Sequence, residues 1–155
     1  MSVIDTLITD RSAEDVAELM ALLEAGDLPS GNHKGAYNAS DLNRVGSAVA
    51  YLRTRLAGIG IHATGENLRT NWTAADIPTQ SEMDVYLSVV AKMREDILEY
   101  RPEENSLPES MRNLDYKAAN EIESLLKTVE DVVRKIILSY RGYSGRLTSG
   151  VNALP

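Results

Sequence analysis

The stretch Asp115-Tyr116-Lys117-Ala118-Ala119-Asn120-Glu121-Ile122, continuing as ESLLKTVEDVVRKIILSY to Tyr140, decides the fold class. Asp115 is a good N-cap, and no Pro or Gly interrupts the run behind it. Ala118, Ile122, Leu125, Val129, Val132, Val133, Ile136 and Tyr140 recur three and four apart. That spacing predicts an amphipathic helix over 116–140, about 37 Å long at about 1.5 Å per residue. A helix of that length with one apolar face needs other helices to cover it, and can serve as the spine of a bundle.

Upstream, three more segments carry the same period. Ser12 with Asp15 forms a capping box, and Val16, Leu19, Met20 and Leu23 give an apolar face over 13–25, closed by Gly26. Ser40 or Asn38 caps a helix over 41–57 whose seam is Leu42, Val45, Val49, Leu52 and Leu56. Gly46, Ala48 and Ala50 keep this helix slim enough for another helix to approach. Thr79 and Glu82 form the T-x-x-E box of a helix over 80–99 with the stripe Met83, Tyr86, Leu87, Val90, Met93 and Ile97, stopped by Pro102.

Between the helices lie a loop over 27–37, broken by Pro29, Gly31 and Gly35, and a connector over 61–71. Thr73 and Asp76 cap a short turn, with Trp72 placed for a staple contact to Ile77. A polar loop with one turn near 109–113 precedes the last helix. The expectation is an all-α bundle of about four main helices over 12–140, with an N-terminal arm over 1–11 and a C-terminal tail or short hairpin over 141–155. The apolar arm, Val3-Ile4 and Leu7-Ile8, is read as extended, packing either on its own domain or on a neighbour.

Composition bounds the function. The 155 residues fit one domain, which at that size buries roughly 70% of its unfolded surface. The absence of cysteine excludes disulfides, thiolate metal sites and thiol nucleophiles. Sixteen basic residues against 23 acidic argue against binding nucleic acid through a basic surface. No apolar run approaches the roughly 20 residues of a membrane helix, and Met1 to Arg11 lacks signal-peptide character. The sequons at Asn38 and Asn71 are then chance matches. The charge is uneven, because no acidic residue follows Asp131 while Arg134, Lys135, Arg141 and Arg146 do. An acidic body with a basic end can associate head to tail, or the end can simply match the helix dipole.

Catalytic constellations are missing. His33 and His62 have no partner at metal-ligand spacing. Glu82, Asp84, Glu95, Glu99, Glu123 and Glu130 read as solvated positions off the apolar stripes, with Glu121 and Asp131 flanking. No G-x-S-x-G elbow or phosphate loop occurs. No catalytic, cofactor or metal residue is assigned, and no enzyme activity is expected. Tyr140, Arg141, Tyr143 and Arg146 suit a protein interface better than a nucleic-acid one.

Three stretches carry a resemblance. They are Lys34-Gly35-Ala36-Tyr37-Asn38 with Asp41-Leu42-Asn43-Arg44-Val45; Thr70-Asn71-Trp72-Thr73 with Asp76-Ile77-Pro78-Thr79; and Leu107-Pro108 through Leu114 followed by Ala119-Asn120-Glu121-Ile122-Glu123. Their order and spacing resemble a group of small prophage-encoded proteins of Gram-positive bacteria, found among phage tail and virion genes. Gly142-Tyr143-Ser144-Gly145-Arg146 is similar to that family's C-terminal Tyr-Ser-Gly-Glu signature, with Arg146 in place of the acid.

The resemblance implies a non-catalytic structural subunit of a virion, of the tail or its tip. Such a subunit is assembled in the bacterial cytoplasm among other virion subunits and copies of itself, with no cofactor, nucleic acid or membrane as partner. The expected contact residues are Tyr37, Asn38, Asp41, Arg44, Trp72, Tyr140, Arg141, Tyr143 and Arg146, with 1–9 and 141–155 reaching to neighbours. A small intracellular adaptor or regulator binding a partner helix is the alternative.

Overall fold

A computed structural model describes residues 1–29, 33–100 and 106–151, with side chains as far as Tyr140. The described residues form four α-helices: α1 (Ala13–Glu24), α2 (Ala39–Gly58), α3 (Gln80–Ile97) and α4 (Tyr116–Val151). The described residues contain no strand. The all-α bundle is therefore the observed architecture, and among the described residues no helix is long and apolar enough to cross a membrane.

The starts of the helices follow from local hydrogen bonding. Ser12/Asp15, Asn38/Asp41 and Thr79/Glu82 are complete capping boxes, each side chain reaching the other residue's backbone N–H. Asn38, not Ser40, caps α2. Asp115 accepts from the Ala118 N–H at 2.7 Å and so caps α4. At the end of α2, Gly60 takes φ 84° and the Ile61 N–H donates to the Leu56 carbonyl at 2.9 Å. That left-handed turn is open to glycine without strain.

The core lies between α2, α3 and α4. Leu52, Leu56, Val90, Met93, Ile97, Ile122, Leu126 and Val129 are buried at its centre. The three helices run in the same direction. Arg44 and Arg55 of α2 meet Glu123 and Glu130 of α4 in that order. The ends of α2 and α3 come together with α4 around Ile59, Tyr100 and Ile136. Parallel helices require connections that return the full length of the bundle, which explains the long segments 59–79 and 98–115. The first return is visible contact by contact, descending α2. Arg53 donates to the Glu66 carbonyl at 2.8 Å, the 68–70 backbone crosses Gly46, and Trp72 pairs with Asn43. Gly46 thus admits a connector, not a helix: a Cβ there would sit 3.0 Å from the Arg69 carbonyl oxygen.

Several expectations change. The N-terminal arm is not extended throughout. Val3–Thr6 form a 3-10 turn capped by Ser2, and Ile4 and Leu7 are buried on the chain's own bundle. The tail does not begin at 141, since the α4 backbone stays helical to Val151. No proline interrupts α4, and a glycine in a helix lowers stability by only about 1 kcal/mol without forbidding the conformation. The side chains of Arg141, Tyr143 and Arg146, the breaks at Gly31 and Pro102, and residues 152–155 lie outside the described residues. The Trp72–Ile77 staple does not form, because Ile77 is 89% exposed. The apolar face of α1 buries no residue, leaving Met20 and Leu23 exposed.

This division between core and periphery is measurable. Leu52→Ala should cost about 3 kcal/mol in denaturant unfolding, because it opens a cavity at a fully buried site. Met20→Ser should stay within about 0.5 kcal/mol, because α1 carries no core.

Candidate functional site

The most unusual feature of the chain is a buried cluster of charges where the N-terminal arm meets α2 and α4. Glu123, on α4, has no solvent exposure. Its carboxylate accepts from the Ile8 N–H at 2.7 Å, from Arg11 at 2.6 Å, and from Arg44 through Nε at 3.0 Å and a terminal nitrogen at 2.9 Å. Asp41 accepts from Arg11 at 2.8 Å and from Arg44, while its other oxygen closes the α2 capping box on the Asn38 N–H. Two guanidiniums and two carboxylates balance, so a group of charges that would be prohibitive singly is retained.

Neighbouring groups complete the cluster. Arg11 donates to the Ile8 carbonyl at 2.8 Å, and its backbone exchanges two hydrogen bonds with the Asn120 side chain. Its guanidinium lies 5.4 Å from the centre of the Tyr37 ring. The Tyr37 and Tyr86 hydroxyls sit 2.5 Å apart. Burial raises both phenol pKa values, and the nearby Glu123 and Asp41 charges add to the effect. Burial works against the charge on Arg44, but Glu123 and Asp41 outweigh it and raise its pKa. At neutral pH the tyrosines therefore stay neutral and the arginine stays charged.

A second rung lies further along α4. Glu130 accepts from Arg55 at 3.2 Å and from Arg134 at 2.9 Å. The expectation that Glu123 and Glu130 are solvated is thus wrong. Glu123 lies four residues after Ala119 and three before Leu126, and Glu130 repeats that register before Val133, so both sit on the buried stripe. This spacing was the available signal. Their arginine partners come from sequence positions too distant for helix periodicity to reveal.

The expected contact residues separate into two groups. Tyr37, Asn38, Asp41 and Arg44 belong to the interior cluster and its cap, where their polar atoms are already engaged. Trp72 is also buried. Its backbone N–H donates to the Asn43 side-chain oxygen at 2.7 Å, the Asn43 amide donates back to the Trp72 backbone carbonyl at 2.8 Å, and Arg69 lies 4.2 Å from its ring centre. These five are engaged within the fold: Asp41 and Trp72 are buried, while Tyr37, Asn38 and Arg44 stay partly exposed. Tyr140 is exposed.

Tyr140 borders a groove of about 380 Å³ that also receives Ile59, Ile61, Tyr100, Lys135 and Ile136. His33 uses Nδ1 to accept the Gly35 N–H at 3.1 Å, and its Nε2 lies 3.9 Å from Glu18, while His62 is exposed. No protein-family profile, characterised protein or solved structure matches the chain.

Removing Glu123 would strand Arg11 and Arg44 in the interior. Glu123→Ala should cost about 3–5 kcal/mol and accelerate amide exchange at Ile8, while Glu121→Ala serves as a near-neutral control. Asp76 provides a pH test. Hydrogen bonds from the Thr73 hydroxyl and backbone, then from Arg69, lower its pKa to about 2. Because the folded value lies below the ordinary one, its contribution is present above the usual carboxylate range and is lost as pH falls through about 2. NMR titration of the Asp76 carboxyl should show that midpoint, and Thr73→Val should move it upward.

Proposed function

We propose that this chain is a non-catalytic structural subunit of a phage or phage-like particle, associated with the tail or tail tip and resident in the virion. The observation that supports this reading is the convergence of the resemblance motifs in space. Tyr37, Asn38, Asp41 and Arg44 from the first stretch, Trp72 from the second, and Asn120 and Glu123 from the third form one connected framework around the start of α2. The motif set therefore supports a fixed framework, as an assembly subunit needs, and Asp41, Arg44 and Glu123 are paired with one another instead of being aimed at a substrate.

The alternative, an adaptor that seats a partner helix, is favoured by the groove at Ile59, Ile61 and Ile136. The two readings separate in one experiment. Antibody labelling of purified particles from a host carrying this gene should place the chain on the particle at a fixed copy number per tail. Detection only in the soluble fraction, bound to a cellular protein, would overturn the virion reading.

A further inference from the structure

Residues 1–24 are held to the bundle unevenly, with the firm grip at one end. Ile4 and Leu7 are buried. Glu123 accepts from the Ile8 N–H and from Arg11, Asp41 accepts from the same guanidinium, Asn120 pins the Arg11 backbone, and Lys127 reaches Thr9 at 3.2 Å. These side-chain partners lie between 30 and 118 residues away along the chain. The helix that follows, α1, buries no residue.

The arm and its seat are therefore separate pieces joined by one tether. Arg11 touches Asp41, which closes the α2 capping box on Asn38, so the arm ends where α2 begins. From there α1 carries the chain about 18 Å away, and it turns at Gly26, where φ is 78°. On its return Lys34 pairs with Asp10 at 2.7 Å, and Gly35 packs against the Asp15 carbonyl. Residues 33–37 lead straight into α2 and stay with the seat. Only the turn at the far end of α1 joins the two pieces, and its described residues, 24–29, include no buried side chain.

A second copy of the bundle offers this segment the same seat, partner for partner. We infer that two copies of this chain trade their N-terminal segments, residues 1–24 of each filling the seat on the other. Ile8 and Arg11 from one copy then complete the charge cluster around Glu123 and Asp41 of the other. Every contact of the single chain recurs in the pair, so concentration sets the balance between them. An empty seat leaves Glu123 and Asp41 facing Arg44 alone, so the segments change hands slowly, through a sparsely populated open state. The inference uses no feature of the virion reading.

The chain has no cysteine, so single cysteines report the exchange directly. Thr9→Cys is made in one sample of the full-length chain and Lys127→Cys in another. Both positions are partly exposed, and their side chains meet within the fold. The two proteins are mixed at about 1 mM, where even weak association registers, held overnight, diluted and treated with a short bismaleimide. A link between positions 9 and 127 in that mixture necessarily joins two chains. Thr9→Cys mixed with Glu95→Cys, at an exposed site on α3, measures random encounter.

The two-chain product is expected to exceed that background at least about tenfold, and to grow with the concentration at which the proteins were held. Asp10→Cys with Lys34→Cys, at two exposed side chains, repeats the test if circular dichroism shows that a variant of the first pair folds poorly. A product no greater than background would overturn the inference. So would a two-chain mass in sedimentation without the link between arm and seat, because the association would then belong to another surface. Particle labelling decides the virion role, and none of these outcomes depends on it.

Discussion

The fold depends on the neutralisation of Glu123. A carboxylate without solvent contact is tolerable only when charged donors and N–H groups surround it, and this one is met by Arg11, Arg44 and the Ile8 N–H at once. Each partner belongs to a different part of the chain. Satisfying Glu123 therefore fixes the arm against α4, sets the register of α2 against α4, and draws Asp41 inward to balance the second arginine. Apolar packing alone would permit sliding along the helices; directional hydrogen bonds to a buried charge do not.

The same requirement bears on topology. Because the α2–α4 contacts rise together from Arg44–Glu123 to Arg55–Glu130, the two helices must be parallel, and the chain between them must travel back. The return is itself structured. Arg53, Gly46 and Asn43 receive the 66–72 segment in descending order, and Trp72 ends as a buried plug instead of a surface aromatic. The connector 59–79 thus serves as a covering layer for a core that, among the described residues, lies between three helices. It leaves α1 beside the core, with Val16, Leu19 and Leu22 half-buried and Met20 and Leu23 exposed.

Helix starts and their caps were legible in the sequence to within two residues, because a capping box is settled over four residues and a seam over two turns, whereas α4 runs eleven residues past the expected end at Tyr140. The apolar stripes of α2 and α3 were also largely readable. The stripe of α4 was read as Ala118–Ile122–Leu125, and Ala119 and Leu126, buried in the structure, were missed. Recognising those two would have placed Glu123 and Glu130 on the buried side. Charged residues default to solvent when helices are read one at a time, and only the arginines of another segment reverse that preference. The apolar face of α1 failed in the opposite sense, since periodicity registers amphipathicity without showing whether anything inside the molecule covers it.

By itself, the sequence determined that the chain is helical, where each helix starts, and that its charge is segregated toward an acidic body and a basic end, since these follow from neighbours within a few residues and from simple composition. Only the tertiary structure decided which carboxylates are interior, which way the helices run, and which expected contact residues are framework. The reason is distance along the chain. Arg11 reaches Glu123 across 112 residues and Arg44 reaches it across 79, and no local pattern encodes a partner so far away.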